Sequence, residues 1–560
     1  MSYHDLYNRW KQQPLEDESL TRELASIVGN DSEIEDRFYK ELEFGTAGLR
    51  GVLGAGTNRM NIYTVRRATQ GLADYLTSTV KEPSAAIAYD SRNNSELFAR
   101  ESAAVLAANG VKAYLYRELM PTPALSYAVR ELGCDSGINV TASHNPAKYN
   151  GYKAYDGTGC QISGEVADAV MANILKTDIF DGVRHLPFEQ GLAEGSIVYI
   201  EEALVQRFLN RVLQEQVNPG ICKTAGLRLV YTPLNGAGRR CVLTVLERMG
   251  VSQVTVVPEQ EFPDGNFPTC PYPNPEITEA LALGLKLAEQ QKADLLLATD
   301  PDCDRVGAAV LENGKPRLIS GNEMGVLLLD YIARSKKANG TLPKNPVVVK
   351  SLVSTTMTEA VAAAHGVEVR SVLTGFKYIG EQIALLEQAG EEQRFLLGFE
   401  ESYGYLSGGY VRDKDAVDGS MLICEMAAWY KAQGKHLGQA LDEMYQKYGR
   451  YLNKVDSYTF EGSDGMTRMN SILQGLRNAP PAGFAGISVD ASTDYMTSVR
   501  GLPPANVLEY GLSGVGSVIV RPSGTEPKLK IYYSLRGQSL DEVTLLQGKI
   551  KAAVEQLLGL

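Results

Sequence analysis

The stretch Gly137-Ile-Asn-Val-Thr-Ala-Ser-His-Asn-Pro146 joins a short apolar segment to an unusually polar loop. Ile138 and Val140 favour an extended backbone, and Pro146 cannot continue a hydrogen-bonded ladder because it has no N–H group. The pattern predicts a strand that ends just before Ser143, so that the serine hydroxyl lies in the turn after the strand. A serine beside a histidine is most often a turn residue. A chemical role for Ser143 therefore needs support from the rest of the chain.

The same succession of elements occurs three times in the sequence. Each copy predicts a strand, a helix that ends in Gly-Val, a second strand, a further helical stretch and a third strand. Gly110, Gly250 and Gly366 supply the left-handed residue that ends a helix. The predicted strands are 86–89, 111–116 and 137–140 in the first copy, 227–231, 254–257 and 294–298 in the second, and 347–350, 367–372 and 394–397 in the third.

A polar loop follows the third strand of every copy. The loops are Thr-Ala-Ser-His-Asn-Pro at 141–146, Thr-Asp-Pro-Asp-Cys-Asp-Arg at 299–305 and Gly-Phe-Glu-Glu-Ser-Tyr-Gly at 398–404. Open α/β sheets bind ligands beyond the carboxyl ends of their strands. We therefore expect all three loops to face one cleft.

The two ends of the chain differ from this repeat. Residues up to about Lys40 predict an amphipathic helical extension, with apolar residues at helical spacing at Leu20, Leu24, Ile27 and Val28. At the other end, predicted strands grouped before a helix indicate a smaller α+β domain. These elements are 507–510, 517–520, 528–534 and 540–558, and they enclose a fourth polar loop, Arg521-Pro-Ser-Gly-Thr-Glu-Pro-Lys528.

Together these elements predict an α/β protein with three similar mixed-sheet α/β domains and a C-terminal α+β domain around a central cleft. A chain of 560 residues is long enough for about four domains. We expect a helical extension at 1–43, followed by domains at 44–205, 206–324, 325–455 and 456–560. Each of these domains carries one of the four polar loops.

The composition of the chain limits the kinds of molecule that we expect it to bind. With 44% hydrophobic and 22% charged residues, the chain is a folded globular protein, and its net charge of −12 argues against nucleic acid or an anionic membrane. The sequence shows neither a signal peptide nor an apolar segment that could span a bilayer. The seven scattered cysteines include no Cys-x-x-Cys pair and suit a reducing compartment. We expect a cytoplasmic monomer or weak homodimer that binds small molecules.

Three aspartates predict a metal site. Asp300, Asp302 and Asp304 place carboxylates at alternate positions directly after an apolar strand, so a curled loop can point all three at one cation. Oxygen-only ligation suits Mg²⁺. A calcium EF-hand begins similarly, but its sixth and twelfth positions would be Arg305 and Leu311 instead of Gly and Glu. Three carboxylates this close repel one another unless a positive charge lies among them.

Two further loops offer groups that bind sugar phosphates. Arg521, Ser523, Gly524, Thr525 and Lys528 combine two cations, two hydroxyls and a flexible backbone point, which suits a phosphate. The loop is not a Walker A motif, because no Gly-Lys pair is followed by Ser or Thr. The second loop contains side chains that can hydrogen-bond neighbouring hydroxyls, as a sugar requires: Glu400, Glu401 and Ser402.

Phosphoryl transfer to or from a sugar is the reaction that combines these groups. A phosphoserine that donates its phosphoryl group needs mainly positioning and charge neutralisation. Lys153, Lys414 and His144 are candidates for moving the proton of the sugar hydroxyl. Arg50 lies in a glycine-dense stretch that suits an anion.

The four polar loops, in this order, resemble those of the α-D-phosphohexomutase superfamily, and within it those of the phosphoglucomutases. The resemblance covers nearly the whole chain from Phe44 onward. It implies that Ser143 carries the phosphoryl group and that Mg²⁺ is bound by Asp300, Asp302, Asp304 and a phosphoserine oxygen. A two-step exchange between glucose 1-phosphate and glucose 6-phosphate follows, with glucose 1,6-bisphosphate as intermediate and activator.

The resemblance also implies roles for other residues. Glu400 and Ser402 would bind sugar hydroxyls, whereas Arg521, Ser523, Gly524 and Thr525 would hold the phosphate that does not react. The residues expected near the transferring group or the substrate are Arg50, His144, Lys153, Arg305, Gly375, Lys377 and Lys414.

Several alternatives stay open on the sequence. Pro301 and Cys303 stand where glycines often separate the metal-binding aspartates, which favours the branch that includes phosphopentomutases. Phosphopentomutase or phosphomannomutase activity is therefore an alternative. A metal-dependent sugar phosphatase and a non-catalytic sugar-phosphate sensor are further alternatives from other functional classes.

Overall fold

The computed structural model describes residues 1–44, 48–460, 464–522 and 528–559. The chain forms two compact units. The first comprises Met1–Leu318, Ile383–Leu385 and Gly404–Trp429, and the second comprises Ile319–Gln382, Leu386–Tyr403 and Tyr430–Leu560.

The described residues contain 19 α-helices. They are α1 (Tyr3–Gln12), α2 (Glu18–Ser26), α3 (Asp31–Phe38), α4 (Ile62–Thr79), α5 (Ser95–Ala108), α6 (Thr122–Leu132), α7 (Gly164–Lys176), α8 (Phe188–Glu194), α9 (Glu202–Leu213), α10 (Ile221–Ala225), α11 (Gly238–Met249), α12 (Thr278–Gln291), α13 (Gly321–Ala338), α14 (Met357–His365), α15 (Phe376–Gln388), α16 (Ala416–Lys431), α17 (Leu437–Tyr448), α18 (Gly465–Asn478) and α19 (Leu540–Leu558).

The same residues contain 21 β-strands. They are β1 (Gly48–Val52), β2 (Ser84–Tyr89), β3 (Lys112–Leu115), β4 (Ser136–Val140), β5 (Tyr149–Asp156), β6 (Ile197–Tyr199), β7 (Arg228–Thr232), β8 (Gln253–Val256), β9 (Leu295–Thr299), β10 (Val306–Glu312), β11 (Lys315–Ile319), β12 (Val347–Ser351), β13 (Glu368–Val372), β14 (Phe395–Phe399), β15 (Tyr405–Leu406), β16 (Arg450–Thr459), β17 (Gly483–Phe484), β18 (Ile487–Asp494), β19 (Leu508–Leu512), β20 (Gly516–Pro522) and β21 (Lys528–Gly537).

The predicted repeat is present in three sheets. The first has the order β1-β5-β4-β2-β3-β6, and the second has the order β11-β10-β9-β7-β8. In both, the first strand of the copy lies between its third and second strands, and the three run parallel. Strands β5 and β10 run antiparallel beside them, which makes the sheets mixed as expected. In the second unit, β12 pairs in parallel with β13 and β14 in the same order.

The predicted helix stops are also confirmed. Gly110, Gly250 and Gly366 have φ values of 78°, 88° and 69°, in the left-handed region that favours glycine. The polar loops lie at the ends of β4, β9 and β14, and each contains a non-glycine residue in the same region: Ser143, Cys303 and Tyr403. The three copies therefore share their strand order and a left-handed residue in each polar loop.

The C-terminal part is an antiparallel sheet with the order β16-β21-β20-β19-β18-β17. Its core joins side chains of the sheet to those of α18 and α19. The sequence predicts β19, β20, β21 and α19 but misses β16, β17, β18 and α18. Strand β16 lies at the sheet edge and has only one buried residue among its ten, so it lacks the alternation of apolar and polar residues by which strands are recognised.

The N-terminal extension is helical, as predicted, but consists of three short helices. Leu20, Leu24 and Ile27 are buried, whereas Val28 is 61% exposed. The expectation that Val28 belongs to the apolar face is wrong, because α2 ends at Ser26 and the chain leaves the helical path before residue 28.

Trp10 ties this extension to the first α/β domain. It is fully buried, and the rings of Phe38, Tyr63 and Phe180 contact it edge-on at centroid distances of 6.0, 5.5 and 5.2 Å. Such edge-to-face contacts add to the apolar area that a tryptophan buries. The extension is therefore part of the domain core.

Two sequence expectations concern the chain as a whole. All seven cysteines are unpaired and buried, as the scattered pattern predicts. None of the described helices combines the length and the apolar composition that crossing a bilayer requires.

We predict that Trp10→Ala lowers the free energy of unfolding by about 3–5 kcal/mol, because it removes a large side chain from a closely packed core. The matched control, Val28→Ala at an exposed position, should change it by less than about 0.5 kcal/mol. Urea unfolding followed by circular dichroism measures both. A loss below about 1 kcal/mol for Trp10→Ala would contradict the packing role of the extension.

Candidate active site

The turn that carries Ser143 is fixed by hydrogen bonds. Ser143 is buried and has a left-handed φ of 51°. Its N–H donates to Thr141 Oγ1 at 2.8 Å, and Thr141 Oγ1 donates to Asp90 Oδ2 at 2.6 Å. A non-glycine residue keeps this backbone conformation only where the surroundings hold it. The position of the hydroxyl is therefore set by the fold.

Arg92 holds the main chain of the same loop. Its guanidinium donates to four carbonyl oxygens, those of Ser143, Asn145, Pro146 and Tyr149. Asp90 balances its charge at 3.4 Å, and the ring of Phe267 lies against it at 5.1 Å. One buried cation thus determines the shape of the loop.

The three predicted metal ligands converge. Asp300, Asp302 and Asp304 are at most 1% exposed, and one carboxylate oxygen of each lies within 4.8 Å of the others. Asp302 Oδ1 and Asp304 Oδ1 are buried and accept no hydrogen bond from the residues that the structure describes, although Arg305 Nε lies 3.8 Å from Asp304 Oδ1. Such oxygens are costly to bury unless they acquire a partner, and a hard divalent cation binds oxygen ligands of this kind. The residues of this aspartate loop, 299–305, therefore fit a divalent cation.

Three helix starts hold the main chain of the aspartate loop. Three successive carbonyl oxygens each accept a backbone N–H from a different helix start. The pairs are Ala237 to Pro301 at 2.7 Å, Thr122 to Asp302 at 2.8 Å and Ala416 to Cys303 at 3.2 Å. These donors lie at the starts of α11, α6 and α16. Since the N-terminal end of a helix carries a partial positive charge, the arrangement also favours the acidic side chains.

Ser143 reaches the aspartate loop directly. Its Oγ donates to Asp300 Oδ2 at 3.0 Å and lies 3.1 Å from His144 Nδ1. Burial, together with the charges of Asp302 and Asp304, raises the pKa of Asp300 well above its ordinary value. Without a cation, the loop therefore resists a full set of negative charges beside the serine.

Two lysines offset the other two carboxylates. Lys153 Nζ lies 2.9 Å from Asp302 Oδ2 and 3.6 Å from Asp304 Oδ2, and Lys414 Nζ lies 3.2 Å from Asp304 Oδ2. Burial opposes the charge on Asp302, but the Lys153 ammonium prevails and holds the pKa of that carboxyl well below its usual range. Burial likewise opposes the charge on Lys153, and the two carboxylates raise its pKa in spite of it. Lys153 is therefore a cation.

Lys414 is held by a buried acid. Asp413 Oδ1 lies 3.2 Å from Lys414 Nζ, while Asp413 Oδ2 accepts hydrogen bonds from Tyr155 OH at 2.8 Å and Gln161 Nε2 at 3.0 Å. Burial opposes the negative charge of Asp413, and Lys414 and Lys153 outweigh it, so that the pKa of Asp413 is lowered.

The remaining residues predicted for this part of the site border it. Burial, followed by the charges of Arg305 and Arg50, lowers the pKa of His144 well below its ordinary value, so its imidazole is neutral at neutral pH. Arg305 forms an ion pair with Glu276 at 2.6 Å. Arg50 donates to Asn145 Oδ1 at 3.2 Å, which places it at the Ser143 loop.

A second cluster of predicted residues lies within the second unit, around the loop 398–404. Glu400 is 5% exposed, and its Oε1 accepts from Gly375 N at 2.7 Å. Gly375 has a φ of 125°, which a side chain would strain. Glu401 Oε2 accepts from Ser351 Oγ at 2.7 Å. Ser402, the next residue in the loop, is half-buried.

Arg521 belongs to the same cluster. Burial and the charge of Glu401 raise the pKa of Tyr532 to about 12, and the Arg521 guanidinium acts on the same phenol in the opposite direction. Burial also lowers the pKa of Lys377, whose Nζ lies 5.0 Å from the centre of the Tyr378 ring. The predicted phosphate ligands Ser523, Gly524 and Thr525 lie outside the described residues.

Sequence reasoning misses several residues that hold the site together: Asp90, Arg92, Thr122 and Asp413. Asp90-Ser-Arg92 follows β2, whose carboxyl end lies beside that of β4. The loops after the first strands of the repeat therefore carried a usable signal. The sequence signal at Thr122 is weaker, because Pro-Thr-Pro at 121–123 indicates only where a helix begins.

Comparison with known proteins gives the class. Models of four phosphoglucomutase/phosphomannomutase domains match in order. Alpha/beta/alpha domains I, II and III match residues 41–179, 206–314 and 320–448, and the C-terminal domain matches residues 494–551. The chain therefore belongs to the phosphoglucomutase/phosphomannomutase family, within the α-D-phosphohexomutase superfamily, and is a phosphotransferase of the mutase type. The resemblance seen in the sequence is confirmed.

Individual relatives agree with this class. The chain is 37% identical over 528 residues to a phosphoglucomutase of Staphylococcus haemolyticus. The match covers 91% of this chain and 93% of the relative. A phosphoglucomutase of Staphylococcus epidermidis is 35% identical over 552 residues, covering 96% and 98%.

Solved structures share the fold at lower identity. The open form of a phosphoglucomutase, parafusin, from Paramecium matches with a TM-score of 0.70 at 17% identity and covers 93% of this chain and 97% of its own. A family protein from Burkholderia thailandensis matches with a TM-score of 0.67 at 18% identity, covering 92% and 97%.

We predict that Asp300→Asn weakens the stabilisation of the protein by Mg²⁺. In EDTA the variant should be more stable than the unchanged protein, because one of three repelling carboxylates is removed. In Mg²⁺ at 100 times its dissociation constant, the unchanged protein should gain about 2.7 kcal/mol in free energy of unfolding, and the variant should gain much less.

Urea unfolding with and without Mg²⁺ measures these differences. Asp168→Asn, at an exposed position in the same unit, is the matched control and should behave as the unchanged protein. Equal stabilisation of Asp300→Asn and the unchanged protein by Mg²⁺ would show that Asp300 does not bind the ion.

Proposed function

We propose that this enzyme interconverts glucose 1-phosphate and glucose 6-phosphate through a phosphoserine at Ser143 and a glucose 1,6-bisphosphate intermediate. The observation that carries the proposal is the 3.0 Å hydrogen bond between Ser143 Oγ and Asp300 Oδ2, which joins the candidate nucleophile to the candidate metal ligands. The 35–37% identity to phosphoglucomutases over most of the chain supports glucose phosphates as substrates.

One Mg²⁺ would be held by Asp300, Asp302, Asp304 and an oxygen of the phosphorylated Ser143. When bound, the ion supplies positive charge beside the transferring phosphoryl group. The chain itself contributes Lys153 and Lys414, whose amines lie at the same carboxylates and add charge of the same sign. Phosphoryl transfer depends mainly on such positioning and neutralisation.

The exchange takes place in two balanced steps. A sugar hydroxyl oxygen forms a bond to phosphorus as the bond between Ser143 Oγ and phosphorus breaks. The hydroxyl proton passes to a nearby base, and Ser143 Oγ takes up a proton as it leaves. The bisphosphate then presents its other phosphate, whose bond to the sugar oxygen breaks as a new bond to Ser143 Oγ forms, while Ser143 gives up its proton and the sugar oxygen regains one. His144 and Lys414 are the candidates for taking up the sugar proton, Lys153, as a cation, is the candidate for donating one, and Arg50 and Arg305 are the candidates for stabilising charge.

The cluster in the second unit would bind a sugar phosphate. Glu400 and Ser402 would accept hydrogen bonds from sugar hydroxyls, and Arg521 with Ser523, Gly524 and Thr525 would hold the phosphate that does not react. Support comes from the Tyr532 phenol, on which Arg521, Glu400 and Glu401 all act, since a cation together with hydroxyl acceptors matches a sugar phosphate. Gly375 fixes Glu400, and Lys377 adds a nearby cation.

Other assignments follow from the same reasoning. We expect the five segments given above, the monomer or weak homodimer and the cytoplasmic location to hold. Phosphopentomutase and phosphomannomutase activities are the alternative substrate choices within the family. Hydrolysis of the same sugar phosphates, which would release free phosphate, is the alternative reaction.

We predict that Ser143→Ala abolishes both phosphoryl uptake and isomerisation. The purified protein is incubated with glucose 1,6-bisphosphate and Mg²⁺, and the peptide that contains residue 143 is weighed by mass spectrometry. The unchanged protein should gain one phosphoryl group there, whereas Ser143→Ala should gain none. Ser91→Ala, in the neighbouring loop, is the matched control and should still be phosphorylated at Ser143.

A panel of hexose and pentose phosphates then identifies the reaction. Isomerised glucose phosphate without free phosphate supports the proposal, and free phosphate as the main product supports the phosphatase. A serine that accepts no phosphoryl group from any sugar bisphosphate would exclude the mechanism. Turnover by Ser143→Ala at the rate of the unchanged protein would exclude it equally.

A further inference from the structure

The two carboxylate oxygens of Asp302 have different surroundings. Its Oδ2 lies 3.0 Å from Thr122 Oγ1 and 2.9 Å from Lys153 Nζ, whereas its Oδ1 is buried and accepts no hydrogen bond from any described residue. Thr122 and Asp302 are both fully buried. The carboxylate therefore has one oxygen held by the protein and one left open.

Thr122 is bound to the aspartate loop by two hydrogen bonds. Its N–H donates to the carbonyl oxygen of Asp302 at 2.8 Å, in addition to the bond from its hydroxyl to the carboxylate. Because both the main chain and the side chain of Asp302 are bound by one short residue at the start of α6, the torsion angles of the carboxylate are restricted. Lys153 supplies charge at the same oxygen, but its long stem restricts the carboxylate plane much less.

Asn139 fixes the direction in which the Thr122 hydroxyl donates. Asn139 is fully buried on β4, and its Nδ2 donates to Thr122 Oγ1 at 2.7 Å. A hydroxyl has one hydrogen. Since Thr122 Oγ1 accepts from Asn139, that hydrogen is available to the Asp302 carboxylate, which can only accept. Asn139 and Lys153 are also direct cross-strand neighbours on β4 and β5, so the sheet places both supports of Asp302 together.

We propose that Thr122 is a positioning residue for the metal site, which holds Asp302 Oδ2 so that Oδ1 faces the divalent cation. The proposal rests on the metal site of the proposed function and adds a residue from outside the four polar loops. Groups that hydrogen-bond a metal ligand commonly set metal affinity, and their loss costs about 10–100-fold. Thr122 meets that description while touching neither the sugar nor the reacting atoms.

The test is the binding of Mg²⁺ alone, measured by isothermal titration calorimetry on the full-length protein after EDTA treatment. Thr122→Val keeps the volume of the side chain and removes the hydroxyl, so the dissociation constant for Mg²⁺ should rise about 10–100-fold. Thr122→Ser keeps the hydroxyl and should restore the constant to within about 3-fold of the unchanged protein. Thr122→Ala is a second variant without the hydroxyl, used if Thr122→Val does not fold.

Thr69→Val is the matched control. Thr69 is a fully buried threonine of the same unit whose hydroxyl donates to Val65 O within α4 at 2.8 Å, away from the metal site. Its replacement should leave the dissociation constant for Mg²⁺ unchanged, which separates the loss of any buried hydroxyl from the loss of this one.

The possible outcomes separate the inference about Thr122 from the proposed function. If the unchanged protein binds Mg²⁺ and a folded variant without the Thr122 hydroxyl binds it equally well, the inference is wrong and the proposed function stands. If Thr122→Ser binds as weakly as Thr122→Val, the effect is one of packing and the inference is again wrong. If the unchanged protein does not bind Mg²⁺, the metal site fails and the inference with it.

Discussion

The mutual repulsion of three buried carboxylates is the constraint that the first unit is built to satisfy. At an effective dielectric constant near 20, two unit charges 4.8 Å apart repel by about 3–4 kcal/mol. Three such pairs would amount to a large part of the stability of a typical protein. The structure responds with lysines at Asp302 and Asp304, a raised pKa at Asp300 and three helix starts directed at the loop. Among the described residues, Asp302 Oδ1 and Asp304 Oδ1 accept no hydrogen bond, and a cation bound between them would supply the remaining compensation.

Distant parts of one chain assemble this environment. The first unit contains three helix starts that reach the aspartate loop, and they belong to α6 after β3, α11 after β7 and α16 after β15. A single loop is therefore held at three successive carbonyl groups by three parts of the sequence that are distant from one another. Each of the three polar loops also contains a non-glycine residue with a left-handed backbone, Ser143, Cys303 or Tyr403, although the loops differ in chemistry.

The sequence predicted well what depends on local pattern and poorly what depends on long-range contact. The succession of strands and helices, the glycine helix stops and the aspartate triad were predictable, because each has a period or a spacing that can be recognised in one stretch. Val28 was assigned to the buried face because the helical spacing was extended past Ser26, where α2 ends. Beyond a helix end, that spacing no longer predicts which residues are buried. Thr122 was missed for a different reason: its partner Asp302 lies 180 residues away, and its own neighbourhood indicates only the start of a helix. Arg92 lies about 50 residues from its partners, and the one signal in its neighbourhood is its place in the loop after β2.

The central claim is that a divalent cation on the aspartate loop shares an oxygen with a phosphate carried by Ser143. The most direct measurement replaces Mg²⁺ with Mn²⁺ in protein whose Ser143 phosphorylation has been verified by mass, and records ³¹P electron–nuclear double resonance. The account predicts a phosphorus coupling of the size expected for a directly bound phosphate oxygen, absent from Ser143→Ala. Bound Mn²⁺ without any phosphorus coupling, in protein fully phosphorylated at Ser143, would contradict it.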